Sequence, residues 1–339
     1  MYLIYHPDLD ISFSDYGILI PLVDDRSKRV FDFLNTHLPS LALLDYKLLT
    51  PISKEDLLRV HDREFVERLF DKTSCEEELL KAYELIDVQG RPYRYRPEIA
   101  KKQLPEMLGS ILAQVSGTLF TCEQALQTGF SFFLGGGMHH AMSFGGRGFC
   151  LINDMAIAIR HLQHRRLVKK VWVIDVDAHK GDGTAEIFQH DDSVQTLSIH
   201  MQDGWPLDSE KYDSKGMLNP WFIDSDVEIG LSAGEEGLYL KKLNQGLLTL
   251  EKKGRPDLVI VVDGADPYEA DELPSTQSLK LSKEQMLQRD LMIYKFLEER
   301  HIPQAYVMAG GYGKSSWEIY SQFLLTVLTA REEEHVLKV

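Results

Sequence analysis

An α/β protein with a mostly parallel sheet covered on both faces is what this 339-residue sequence predicts. Three observations carry that reading. Short β-branched or aromatic runs alternate with longer stretches of helical periodicity. The runs are apolar throughout rather than at every second residue, as strands buried on both faces require. Each run then turns abruptly into Gly, His, Asp or Tyr, and in open parallel sheets ligands bind beyond the carboxyl ends of the strands.

In chain order, a helix is expected over 104–126, followed by a strand over 131–134 that continues into Gly135-Gly136-Gly137-Met138-His139-His140. A second helix, opened by Asp154, covers 154–162. The strand over 171–176 ends Asp175-Val176-Asp177-Ala178-His179, and the strand over 194–199 ends Ser198-Ile199-His200. A helix over 235–250 is stopped by Gly254 and Pro256. The strand over 257–262 runs into Asp263-Gly264-Ala265-Asp266. A helix over 283–299, started by Ser282, precedes the strand over 304–308, which ends in Gly310-Gly311-Tyr312-Gly313. A last helix covers 317–330. Residues 201–230 and 263–281 carry little regular pattern and read as long loops over one end of the sheet. With no repeat and no Pro/Gly/Ser linker, a single domain over 1–339 is expected.

Composition narrows the function. Hydrophobic residues at 44% and charged ones at 26% are those of a soluble globular chain. A formal charge of −15 argues against a phosphate-backbone partner. Cys75, Cys122 and Cys150 cannot all pair and have no C-x-x-C spacing, which argues against a disulfide framework or a zinc ribbon. The start of the chain lacks a basic region followed by an apolar run. Apolar stretches such as Leu258-Val259-Ile260-Val261-Val262 fall far short of the ~20 residues that span a bilayer. A cytoplasmic protein without a membrane partner is expected.

Asp175, Asp177 and His179 are spaced by two, so on an extended backbone they project to one side. Two carboxylates and an imidazole gathered there repel unless a cation sits among them. With Asp266 from a neighbouring loop, Asp177 and His179 make a His-plus-two-carboxylate set that leaves a position open, as catalytic metal sites do. His139 and His140 can both face one ligand only from a loop, and Gly135, Gly136 and Gly137 supply one in which backbone and substrate approach closely. A neutral imidazole there can take a proton from a metal-activated water. Asp175 and Asp182 are candidates to hold the two rings in one tautomer. Tyr312, on its glycine turn, can donate to an oxygen that becomes negative.

Taken together, GGGMHHA at 135–141, RGFCLIND at 147–154, DVDAHKGDG at 175–183, TLSIH at 196–200, GADPYEAD at 264–271 and GGYG at 310–313 resemble the histone deacetylase family, in the family's order. Tyr5-His6-Pro7 and Val60-His61-Asp62 through Tyr83 also resemble its N-terminal portion. The GADPYEAD and AGGY forms look most like the bacterial and class IV branch. The resemblance implies the arginase–deacetylase fold with an eight-stranded, mostly parallel sheet. It implies one zinc ion, with Fe2+ as an alternative, on Asp177, His179 and Asp266. It implies His140 as general base, His139 as its electrostatic or acid partner with Asp175 behind it, Asp182 behind His140, and Tyr312 as oxyanion donor. It further implies a structural potassium ion near Asp175, Asp177, His179, Ser198 and Ile199. Gly137, Phe149 and Trp205 would then border the channel for an acyl-lysine chain.

Two residues depart from the family pattern. Lys180 stands where His or Gln is common, and Asp263 where a neutral residue is usual. The two are expected to neutralise each other, since a buried charge needs a partner. The rim segment 90–102 carries Arg91, Arg94 and Arg96 but no Asp, so the acidic residue with which some relatives grip a peptide backbone has no counterpart. The substrate therefore stays open among acyl-lysine, an acylated polyamine and a small amide, as does the oligomeric state. Two rival readings remain: a two-manganese ureohydrolase of the same fold, and a binding module that has lost turnover.

Overall fold

The computed structural model describes residues 2–87 and 89–337, so the domain expected over 1–339 extends beyond them at Met1 and at Lys338 and Val339. Seven strands are found among the described residues: β1 (Leu3–Ile4), β2 (Phe130–Phe133), β3 (Val171–Asp175), β4 (Val194–Met201), β5 (Val227–Leu231), β6 (Leu258–Asp263) and β7 (Gln304–Met308). They form one sheet in the order β1-β2-β7-β6-β3-β4-β5, every pair parallel. The five expected strands lie within it. β1 and β5 are additional; the described residues give seven strands where the resemblance implied eight, a difference compatible with the expected fold.

The helices are α1 (Arg26–His37), α2 (Lys54–Leu57), α3 (Arg63–Leu69), α4 (Lys72–Ala82), α5 (Met107–Thr128), α6 (Asp154–His164), α7 (Asp182–Phe188), α8 (Tyr239–Glu251), α9 (Lys283–Glu298) and α10 (Ser316–Leu337). Alternation along the strands divides the sheet's two faces. Trp172, Ile174, Val259, Val261, Tyr306 and Met308 pack with α1, α8, α9 and α10. Val171, Val173, Leu258, Ile260, Ala305 and Val307 pack with α5 and α6 on the other face. A further apolar cluster joins α3 and α4 to the start of α5 and to Met138, Ala141 and Leu151, and so supports the loops above the strand ends.

Helix starts follow their caps. Ser282 accepts from the Gln285 backbone and forms a capping box at α9. At α6 the cap is Asn153, whose side chain accepts from Ala156 N–H. That leaves Asp154 in the first turn, free to point back at the glycine loop. The stretch at 104–106 is a separate 3-10 turn before α5, and α5 ends at Gly129, whose φ is +82°. No helix among the described residues is long and apolar enough to cross a membrane. The three cysteines are free and buried.

Candidate active site

The strand ends deliver their polar residues to one place. Asp177 and His179 follow β3, Asp266 follows β6, and Tyr312 follows β7. One ligand atom from each of Asp177, His179 and Asp266 lies within 4.8 Å of the others, and all three residues are buried. His179 Nδ1 is 3.2 Å from Asp177 Oδ1 and 3.1 Å from Asp266 Oδ2. Backbone N–H groups fix the remaining carboxylate oxygens: Gly310 donates to Asp177 Oδ2 at 2.9 Å and Ala178 to Asp266 Oδ1 at 2.9 Å. A Cβ at Gly310 would come 2.4 Å from Asp177 Oδ2 and 2.6 Å from Asp266 Oδ2, so glycine alone lets this turn lie against both carboxylates. Burial and the charge of Asp177 push Asp266 up to about 6. Asp177 goes the other way: burial would raise it, but the imidazoles of His139 and His179 hold it below the usual carboxylate range. One imidazole and two carboxylates, each steadied by backbone, form a donor set that fits a divalent cation with an open position.

The paired histidines stand beside it, their ring centroids 3.9 Å apart. His139 Nδ1 meets Asp175 Oδ2 at 2.7 Å, and His140 Nδ1 meets Asp182 Oδ1 at 2.7 Å. Their protonation diverges. For His139, burial opposes charge, but the Asp175 and Asp177 carboxylates outweigh it and raise the imidazole to about 9. For His140, burial and the neighbouring His139 charge lower it to about 3. The glycine loop that presents both rings is held by side chains: Asp154 accepts from Gly137 N–H at 3.0 Å and Met138 N–H at 2.7 Å, and Gln114 from Gly136 N–H at 2.6 Å. Gly137 has φ +78°, and a Cβ there would meet the Ala309 backbone at 2.8 Å.

A recess leads from this machinery to the surface. His140, His179 and Tyr312 line its inner end, with Phe149 and Trp205 along it. The Trp205 ring stands edge-on to His140 at 4.5 Å, and Phe149 lies 6.3 Å from the Tyr312 ring. Phe149 holds φ +64°, a conformation uncommon for a bulky residue. Burial keeps the Tyr312 phenol well above its ordinary pKa, so it stays a donor.

Residues 20–328 match the Histone deacetylase domain. The chain belongs to the histone deacetylase family. It is 30% identical over 317 residues to Histone deacetylase 2 of Arabidopsis thaliana, covering 93% of this chain and 75% of that one. It is 24% identical over 314 residues to the acetoin utilization protein AcuC of Staphylococcus aureus strain MSSA476, covering 87% and 75%. Among solved structures, a histone deacetylase homologue from Aquifex aeolicus superposes with a TM-score of 0.70 at 22% identity, over 97% of this chain and 84% of that one. These matches agree with the deacetylase fold and with the bacterial and class IV-like branch.

Around this family core the structure corrects one expectation. Lys180 and Asp263 do not meet. Lys180 Nζ pairs with Glu228 Oε1 at 2.6 Å and Asp224 Oδ1 at 3.3 Å, while Asp263 Oδ1 takes Arg289 Nη2 of α9 at 2.6 Å. Lys180 turns toward the β5 side of the sheet and Asp263 toward α9, so each buried charge found its own counterion. The residues named for potassium come to adjacent strand ends: Asp175 and Ser198 are register partners on β3 and β4, and Ile199 follows. Several neighbours were given no role from the sequence, Ser275 outside every motif and Asp271 and Arg147 at the ends of two of them. Ser275 Oγ sits 3.1 Å from His179 Nε2, and Asp271 accepts from Tyr312 N–H at 2.7 Å. Arg147 Nη1 lies 3.1 Å from Asp182 Oδ2, a charge contact without hydrogen-bond alignment, with its guanidinium between Trp205 and Trp221.

Proposed function

We propose that this chain is a metal-dependent deacylase that hydrolyses the amide of an acyl-lysine-type substrate, with one zinc ion, or Fe2+ in its place, held by Asp177, His179 and Asp266. The observation that carries it is the pair of adjacent imidazoles, each backed by its own buried carboxylate and set to opposite protonation beside a three-ligand cluster. When bound, a divalent ion supplies Lewis acidity, polarising the amide carbonyl and making a water more acidic. His140 has committed Nδ1 to Asp182, so Nε2 is the nitrogen that takes the water's proton as the carbonyl is attacked. His139, held cationic by Asp175, stabilises the charge that develops alongside. Tyr312 donates its O–H to the oxygen that becomes negative, and the imidazolium formed on His140 returns its proton to the leaving amine. Phe149 and Trp205 flank the methylenes of the substrate and keep bulk water out.

A potassium ion near Asp175, Asp177, His179, Ser198 and Ile199 belongs to the same reading, as does a single domain acting in the cytoplasm on a small or peptide-borne amide. Among the described residues one cluster of converging ligands is found, which favours one ion over the two-manganese alternative. The test is metal analysis of the purified protein together with hydrolysis of a panel varying acyl chain and amine. One zinc per chain with amide cleavage is expected; two manganese ions, or a zinc-loaded protein inert on the whole panel, would overturn the reading.

A further inference from the structure

The recess opens beside a charged pair that the chemistry above leaves unused. Glu84 and Arg94 line it together with His140, Phe149, Trp205 and Tyr312. Arg94 Nη1 donates to Glu84 Oε2 at 2.8 Å. The guanidinium lies 5.4 Å from the Phe149 ring, the same ring that lies 6.3 Å from Tyr312. The pair thus stands one aromatic ring away from the phenol. Both side chains are only partly covered, 25% exposed for Arg94 and 39% for Glu84. Arginine carries five N–H donors in a fixed fork, so donors remain on Arg94 after the one given to Glu84.

Glu84 occupies a strained position. It follows α4 with φ +53°, where glycine would be relaxed, yet a carboxylate stands there and faces the recess. The other rim arginine with a partner, Arg91, pairs with Asp87, is 72% exposed and does not line the recess. A cation and an anion held together at the mouth of a channel suited to a lysine chain are complementary to one kind of head group: an ammonium and a carboxylate on the same carbon.

We propose that Glu84 and Arg94 receive the α-ammonium and α-carboxylate of a free amino acid, so that the preferred substrate class is an Nω-acylated amino acid such as Nε-acyl-lysine. This rests on the deacylase reading above and specifies its amine carrier. With the acyl amide at Tyr312, four methylenes run past Phe149 and Trp205, and the α-carbon emerges at the pair. The carboxylate takes the remaining N–H groups of Arg94 as charge-assisted bonds, and the ammonium lies against Glu84. An internal peptide residue offers neutral amides in both places and leaves the pair without complement. An acylated polyamine offers a cation but no carboxylate. A zwitterion also carries no net charge, so the acidity of this chain does not oppose its approach.

The test compares kcat/KM for Nε-acetyl-L-lysine, for the same compound with the α-amine acetylated and the carboxylate amidated, and for N-acetylputrescine. A trifluoroacetyl-lysine aminocoumarin, whose activated amide reports hydrolysis with the α-groups capped, runs alongside. Free Nε-acetyl-lysine is expected to exceed the capped compound and N-acetylputrescine at least tenfold. Arg94→Gln should reduce that preference at least tenfold through KM, Arg94→Lys should recover part of it, and Arg91→Gln should keep it. Wild-type protein that cleaves the coumarin but handles capped and free lysine equally, or favours N-acetylputrescine, overturns the proposal alone, as does an unchanged preference in Arg94→Gln. Failure on every substrate, the coumarin included, overturns the deacylase reading and the proposal with it.

Discussion

His139 and His140 are neighbours in sequence and opposites in charge, because each is answered by a different set of groups. Asp175 and Asp177 act on His139, whereas His140 has Asp182 alone and feels the His139 charge as repulsion. Removing Asp175 therefore removes the main support of the His139 proton. In Asp175→Asn the imidazole should lose that proton at lower pH, and the alkaline limb of the kcat profile should move to lower pH; an unmoved limb would sever His139 from the chemistry. His140→Ala and Tyr312→Phe should each cut kcat at least ~100-fold while metal content, read by elemental analysis, stays near wild type. Asp266→Ala should lose the metal itself. At this scale the sequence was readable wherever an apolar strand ended in polar residues: Asp177, His179, Asp266, the two histidines and Tyr312 all announced themselves that way. Ser275 did not, and the partners of Arg147 and Arg94 did not either, because these residues sit in loops whose positions depend on packing far away in sequence.

α9 shows how an element can matter through one residue. Arg289, wholly buried, donates to Asp263, Asp290 and the carbonyl oxygens of Val176 and Gly264, and so ties the helix to the ends of β3 and β6. Removing one partner of a buried ionic cluster typically costs 3–5 kcal/mol. Arg289→Met should lower stability by about that amount in urea unfolding, and a loss below 1 kcal/mol would mean that the two aspartates are held neutral without it. Nothing in the helical stripe of 283–299 marks Arg289 as a strand-end ligand, since its partners at the strand ends lie 25 and more residues away, and that is why Lys180 was matched to Asp263. The missed strands have a plainer cause. β1 is two residues long, and β5 carries Glu228 and Gly230 among its few apolar residues, so neither offers the apolar run that marks the central strands.

His61 contributes one part of the acid response of the molecule as a whole. Its Nε2 accepts from Asn153 N–H at 3.2 Å, and its Nδ1–H donates to the Met142 carbonyl oxygen at 3.0 Å, joining the cap of α6 to the loop that follows the paired histidines. The bond accepted at Nε2 needs the neutral ring, and burial lowers the imidazole to about 4. The unfolded chain, with an ordinary histidine near 6.5, takes up this proton first as pH falls. The stabilisation is therefore complete above about pH 6.5 and is lost toward pH 4, at about 1.4 kcal/mol per pH unit. The urea midpoint of the wild type should fall across that window relative to that of His61→Gln, whose amide can donate and accept in the same places; parallel slopes would show that His61 contributes no acid sensitivity. The single sheet and the gathering of function at its carboxyl edge were legible from the alternation of strands and helices, whereas the strand order was not, because it depends on which edges pair.

The brevity of β1 has one more effect. It is the outermost strand on its side, and Pro7, which has no N–H to give, follows almost at once. Two residues expose too few backbone groups to recruit a strand from a second molecule. Along that margin the sheet is closed to growth, and assembly into stacked fibrils would have to begin somewhere else.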